Sequence, residues 1–177
     1  MKKFLIVVDM QKDFVDGTLG TDEAVAIVPN VVNKIKGFDG NIICTFDTHF
    51  DNYLDSSEGK KLPVVHCIKD TEGWQLNAAV SEALQGREFN EIHKITFGSR
   101  DLPSLIMSIA GDVNDEDLSI ELIGLCTDIC VVSNALYLKA NFPEAEIKVD
   151  SSCCAGVTPS THNAALDTMR CCQIDVL

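Results

Sequence analysis

Hydrophobic and polar positions along the chain switch repeatedly between two periods. "KFLIVVD" (3–9) is a continuous, β-branched apolar run, the pattern of a strand buried on both faces. "AVAIVPNVVNKIKG" (24–37) has helical spacing, with Pro29 either a defect in the helix or its true start. "NIICTFD" (41–47) predicts a second strand, and "QLNAAVSEALQ" (75–85) a helix that stops before Gly86. "EIHKITF" (91–97) reads as a third strand, and "DLPSLIMSIAG" (101–111) as a helix with proline in its first turn, where the missing N–H costs little. A fourth strand, "LSIELIGL" (118–125), precedes a helix over 128–140 capped by Thr127. "AEIKVDS" (145–151) is a fifth strand, "TPSTHNAALDTMRC" a helix with a threonine cap and proline at its first position, and "QIDVL" a closing sixth strand.

Strands alternating with helices predict one α/β domain over residues 1–177, a three-layer sandwich whose six-stranded parallel sheet carries helices on both faces. Ligands of such sheets bind beyond the carboxyl ends of the strands. Asp9 ends the first strand, Asp47 the second with His49 just after it, Lys94 lies in the third, and the Cys126–Cys130 turn follows the fourth. These ends converge on one crevice. The connection from Thr48 to Trp74 is long enough to be a rim or lid over it.

Composition narrows the partners. A net charge of -13 argues against a nucleic-acid backbone as ligand. The apolar run after the two N-terminal lysines is cut at Asp9, too early for a secretion signal, and no stretch is long enough to span a bilayer, so a cytoplasmic location is expected. Eight cysteines are too few for a disulfide scaffold, and in a reducing compartment they remain thiols. The pairs Cys153–Cys154 and Cys171–Cys172 lack tetrahedral metal spacing; six of the eight, all but Cys126 and Cys130, read as packing residues.

Cys130 falls in the first turn of its helix, where free N–H groups and the positive end of the helix dipole favour a thiolate and can hold an oxyanion. Position alone leaves it open between nucleophile and packing residue. Asp9, a lone carboxylate closing an apolar strand, is a candidate base or a turn cap. Lys94, in a strand rich in Ile and Phe, is a partner for it or a stem with a solvated head. Asp47, His49 and His66 form a set able to bind Zn, Fe or Mn with open positions for water or ligand, although Asp-x-His alone is commonplace. His93 and His162 read as structural, and Asp51, Asp55 and Glu58 as a solvated acidic rim.

Taken in order, "VVDMQKDFVDGTLG", "FDTHFD", "VVHCIKDTEGWQL", "IGLCTDICVVSNAL" and "VDSSCCAGVTPSTHNAAL" resemble successive blocks of the isochorismatase-like cysteine hydrolases, within them the nicotinamidase/pyrazinamidase group. The fourth block, similar to the family's Gly-x-x-Thr-Asp-x-Cys-Val signature, is the most specific. The resemblance runs end to end. It implies Cys130 as nucleophile, Asp9 as general base and Lys94 as third member of a triad. It implies Asp47, His49 and His66 as ligands of a divalent metal, zinc or a related ion such as Fe or Mn. It also implies a cis peptide at Leu125–Cys126, an oxyanion hole from the N–H groups of Cys126 and Cys130, and a homo-oligomer. The implied substrate is a small amide, with nicotinamide first, its ring nitrogen on the metal and its carboxamide against Cys130.

Departures from the group's pattern touch the substrate pocket. Leu62 in "KKLPVVHC" stands where a tryptophan is usual, with one extra residue before His66. The further histidine of some relatives is absent, with Tyr53 nearby, and Ser151 replaces an alanine. Phe14 and Leu19 remain as pocket candidates. Three alternatives stay open: another superfamily hydrolase acting on a different amide or carbamoyl compound, a catalytically silent member of the fold, and a redox-sensing Cys126–Cys130 pair. The metal set counts against an isochorismate substrate, whose branch generally lacks it.

Overall fold

The apolar run at the N-terminus becomes strand β1 (Lys2–Val8), and its side chains divide between two cores. The computed structural model describes residues 1–177. Phe4, Ile6 and Val8 enter one core, and Leu5 and Val7 the other. That division is why the run is apolar at every position rather than at every second one.

The remaining strands are β2 (Asn41–Asp47), β3 (Asn90–Lys94), β4 (Leu118–Leu125), β5 (Glu146–Ala155) and β6 (Asp175–Val176). They form one all-parallel sheet in the order β3-β2-β1-β4-β5-β6. The order reverses between β1 and β4, and the crevice at such a switch point is where this sheet class binds ligands.

Helices cover both faces. α1 (Lys12–Val15), α2 (Asp22–Gly37), α3 (Ser57–Lys61) and α4 (Ala78–Ala83) precede β3; α5 (Leu102–Ala110), α6 (Val132–Asn141) and α7 (Pro159–Cys171) follow it. Ile27, Val31 and Ile35 of α2, with Val80 of α4, pack on Leu5 and Val7. Leu102 and Ile106 of α5, Leu138 of α6 and Met169 of α7 pack on the opposite face. No helix is long and apolar enough to cross a membrane.

Several predicted boundaries move for identifiable reasons. α2 starts at Asp22 because Thr21 caps it, its side chain accepting the Ala24 N–H at 3.0 Å. Pro29 is therefore interior. It sits on the exposed face, as does Val25, whose carbonyl loses its helical donor to the proline, so water can satisfy that carbonyl. β3 stops at Lys94, three residues short of the predicted strand, because Thr96 bonds the Gly98 carbonyl in a turn. β5 runs on to Ala155. α7 carries the full capping box of Thr158 and Thr161 with Pro159 at its first position.

Thr127 does not cap α6. Residues Thr127–Val131 form a single π-helical turn before it, and the Thr127 hydroxyl instead meets Nδ1 of His162 at 2.8 Å. Cys44, Cys67, Cys153 and Cys154 pack in the interior as expected, but Cys171 and Cys172, at the exposed end of α7, do not.

Candidate active site

The strand ends converge as the topology requires. Asp47 and Lys94 are in register on β2 and β3, and the Asp9 N–H bonds the Thr45 carbonyl at 3.1 Å, one step past β1. Asp9 has a positive φ of 48°, which a short polar residue tolerates. Lys94 Nζ lies 2.7 Å from Asp9 Oδ2, 3.4 Å from Asp47 Oδ1 and 3.5 Å from Cys130 Sγ. The Asp9–Lys94 contact is a close, buried ion pair, and Thr45 donates to the other Asp9 oxygen at 2.6 Å. All three groups, Asp9, Lys94 and Cys130, are buried.

Burial sets their electrostatics. Asp9 is raised above the usual carboxylate range, by desolvation first, with the Lys94 charge opposing and the Asp47 charge adding. Desolvation would lower Lys94, but Asp9, Cys130 and Asp47 together hold it above its usual value, so it is an ammonium. Cys130 is pushed well up by burial and then by Asp9, against Lys94. Burial thus outweighs the pull of the helix end, and Cys130 rests as a thiol that must give its proton to a neighbour. The Leu125–Cys126 peptide is cis, and the Cys126 N–H has no hydrogen-bond partner within the protein.

Beside the thiol lies the second cluster. Asp47, His49, Glu58 and His66 each offer one ligand atom, and these atoms all lie within 4.8 Å of one another. A short parallel bridge pairs His49 with Ile68, two residues after His66, with the His49 N–H on the Cys67 carbonyl at 2.9 Å and the Lys69 N–H on the His49 carbonyl at 2.9 Å. Gln11 clamps Asp47, taking its N–H at 2.7 Å and donating to its carbonyl at 2.8 Å. Asp13 accepts the Cys67 N–H at 2.8 Å and so anchors the residue after His66. His66 Nδ1 sits 2.7 Å from the Val64 carbonyl, which puts the proton there and turns the Nε2 lone pair towards the cluster.

The cluster fits a divalent cation. His49 Nε2 is buried 2.9 Å from Asp47 Oδ2 and makes no well-directed hydrogen bond, so its lone pair is free for an ion. Burial, then the Asp47 charge, raises Glu58, as expected for two carboxylates converging on one point. Burial would raise Asp47 too, but His49, His66 and Lys94 hold it well below the usual range. Two imidazoles and two carboxylates suit Zn, Fe or Mn. Glu58 is the residue that sequence reading missed. It was expected in the solvated rim with Asp51 and Asp55, but α3 folds back over the histidines and turns it inward, while Asp51 and Asp55 stay exposed. Ser56, which caps α3 through the Gly59 N–H at 2.9 Å, is a local sign of that helix.

Above both clusters opens a cavity of about 910 Å3, lined among others by Phe14, Leu19, Tyr53, Leu62, Cys126 and Cys130. Phe14 and Leu19 stand at its wall. Tyr53 packs its ring 4.6 Å from His49 and 5.0 Å from His66 and donates to the Leu62 carbonyl at 2.9 Å. The Thr48–Trp74 segment, with α3 in it, forms one side of the opening. His93 lies outside, packed on Phe46 and Trp74.

Known proteins share this architecture. A nicotinamidase/pyrazinamidase of Bacillus subtilis superposes with a TM-score of 0.86 at 25% identity, covering 99% of each chain. A pyrazinamidase/nicotinamidase of Streptococcus mutans gives 0.84 at 24% identity, covering 99% of this chain and 100% of that one. A pyrazinamidase of Pyrococcus horikoshii, solved in complex with zinc, gives 0.80 at 23% identity, covering 100% and 99%. No curated protein matches the chain by sequence. The isochorismatase domain model matches residues 3–177, and with nearly the whole length accounted for, the chain belongs to the isochorismatase family of hydrolases.

Proposed function

We propose that the protein is a cysteine amidohydrolase that releases ammonia from a primary amide through a thioester on Cys130, with nicotinamide the first compound to test. The observation that carries this reading is a buried thiol at the wall of the cavity, 3.5 Å from an ammonium that is itself 2.7 Å from a buried carboxylate. The names of the similar structures support the amide class.

Asp9, raised in pKa and beside the thiol, takes the Sγ proton as Sγ attacks the amide carbonyl carbon. The carbonyl oxygen becomes an oxyanion received by backbone N–H groups of Cys126 and Cys130. Lys94 remains charged throughout and holds the Asp9 carboxylate in place. As the C–N bond breaks, protonated Asp9 gives its proton to the departing nitrogen, which leaves as ammonia. Asp9, again a carboxylate, takes a proton from water as its oxygen attacks the thioester carbonyl, and returns that proton to Sγ as the C–S bond breaks, releasing the carboxylic acid and restoring the thiol and the carboxylate.

Asp47, His49 and His66, with Glu58, are the residues that would hold a divalent metal, Zn first and Fe or Mn as alternatives. When bound, it supplies a Lewis acid that takes an electron-pair donor of the substrate and acidifies coordinated water. A homo-oligomer in the cytoplasm completes the reading.

The test is ammonia release from nicotinamide by the metal-supplemented protein, by Cys130→Ala and after chelation. Turnover lost in the variant is the expected result. Undiminished turnover by Cys130→Ala would refute the reading.

A further inference from the structure

The cavity is wider than one ring with one carboxamide needs. At about 910 Å3 it lies near the top of the roughly 300–1,000 Å3 range of pockets that take drug-sized ligands. Its floor is polar: Cys130, Asp47, His49 and Glu58. Its mouth is apolar. Phe50, Leu62, Ile95, Phe97 and Val157 all line it while remaining substantially open to solvent, Ile95 at 68% and Val157 at 51%. Single exposed apolar side chains need no explanation, but five around one opening do.

The backbone beneath these side chains is fixed to the turn that carries the thiol. Asn134, buried on α6, donates to the Phe97 carbonyl at 3.3 Å and the Cys130 carbonyl at 2.8 Å, and accepts the Ser99 N–H at 2.8 Å. On the other side Asp128, two residues before Cys130, accepts the Val157 N–H through both oxygens at 3.1 and 3.2 Å. Two apolar walls are thus pinned on either side of the nucleophile's turn. Preorganisation of this kind makes a binding surface rather than a loose patch.

We propose that the preferred substrate is a primary amide whose carboxamide carries an uncharged apolar group longer than a single ring, with the extra length lying between the Ile95–Phe97 wall and the Phe50, Leu62 and Val157 side chains. This inference rests on the amidohydrolase reading and adds the class of group that the amide bears. Beyond the polar floor the one charged residue lining the cavity is Lys61, beside Leu62, and the five apolar side chains gain from being covered.

The experiment is ammonia release from nicotinamide, benzamide and 4-alkylbenzamides up to butyl, with added Zn2+ or Mn2+, for the wild type and Phe97→Ala, with molar mass in solution measured by light scattering. The expected kcat/KM rises about fourfold per buried methylene, on the order of 100-fold from benzamide to 4-butylbenzamide. Phe97→Ala removes at least about tenfold of that gain. A flat or falling series, with nicotinamide or benzamide still hydrolysed, overturns the apolar-tail site and leaves the amidohydrolase standing. Ammonia from no amide overturns both. A Phe97→Asp variant that dissociates an oligomer while the slope of the series is unchanged would assign the walls to a second copy of the chain, and that too overturns the proposal.

Discussion

Asp9 sits between opposing influences, and the balance has a measurable consequence. Its pKa is raised by burial against the pull of Lys94, and in the proposed reaction, where it is the base, it must be ionised. Activity is therefore lost as pH falls through that raised value, so the acidic limb of kcat/KM lies above the ordinary carboxylate value of about 4. A pH–rate profile with its acidic limb at or below 4 would remove Asp9 as the base. Asp9→Asn is expected to lower kcat by about 10²–10⁴-fold while leaving the fold intact. Cys126→Ala is expected to retain most activity, since the proposed reaction uses only its backbone N–H; loss equal to that of Cys130→Ala would tell against this division of labour. The strand-end rule picked out Asp9, Lys94, Asp47 and Cys130 from sequence because a parallel sheet aligns such ends whatever the loops do. Glu58 had no such rule. Its approach to His49 and His66 depends on how the 48–74 segment doubles back, and "SSEGKK" reads locally as solvated surface.

At the scale of elements, one helix and one sheet face are joined by charge. Lys34 of α2 reaches Glu121 of β4 at 2.6 Å and Asp150 of β5 at 2.7 Å, on the face that otherwise packs Val31 and Ile35. Replacing it with methionine leaves two partly buried carboxylates facing each other, at an expected cost of about 2–3 kcal/mol in urea unfolding at pH 7. Asp150 is held below its usual pKa against the effect of burial by Lys34 and Ser152, and Lys34 above its own by the two carboxylates. The contribution is thus complete between the unfolded values of about 4 and 10.4, fading as pH falls through the folded Asp150 value or rises through that of Lys34. The gap between variant and wild type should narrow at pH 3; a constant gap would point to packing by the lysine stem. In β4, Gly124 has φ of 116° and a Cβ there would stand 2.1 Å from the Val8 carbonyl oxygen, so Gly124→Ala should cost more than about 3 kcal/mol. The elements themselves were legible because period and caps are local. Their ends were not, where a turn such as 96–98 cuts a strand short despite apolar Ile95 and Phe97 beyond it. Sheet order lay between these extremes: β1 is apolar on both faces and central, while β3, with Glu91 and His93 facing out, and the two-residue β6 are edges.

Over the whole molecule, the candidate metal cluster ties together parts that the sheet alone leaves independent. Asp47 belongs to β2, Glu58 to α3, and His49 and His66 to the irregular chain on either side of α3. A ligand that needs all of these in one place binds the folded chain and not the unfolded one, so metal occupancy must appear as stability. At a free-ion concentration 100 times its Kd the gain is about 2.7 kcal/mol. For a chain of this length that is a rise of about 5–10 °C in Tm. Titrating chelated protein with Zn2+ under thermal denaturation should show this rise with a one-to-one end point. It should vanish in Asp47→Ala and shrink in Glu58→Gln. If Glu58→Gln shifts as far as the wild type, Glu58 belongs to the rim after all, and the set contracts to Asp47, His49 and His66. If the wild type does not shift, no metal is bound there. Protection of the 48–74 segment from proteolysis should follow the same titration, since both histidines and Glu58 lie within it. An end point reached in Tm without that protection would mean that the ion is held elsewhere, because no ion can use this cluster and leave the segment free.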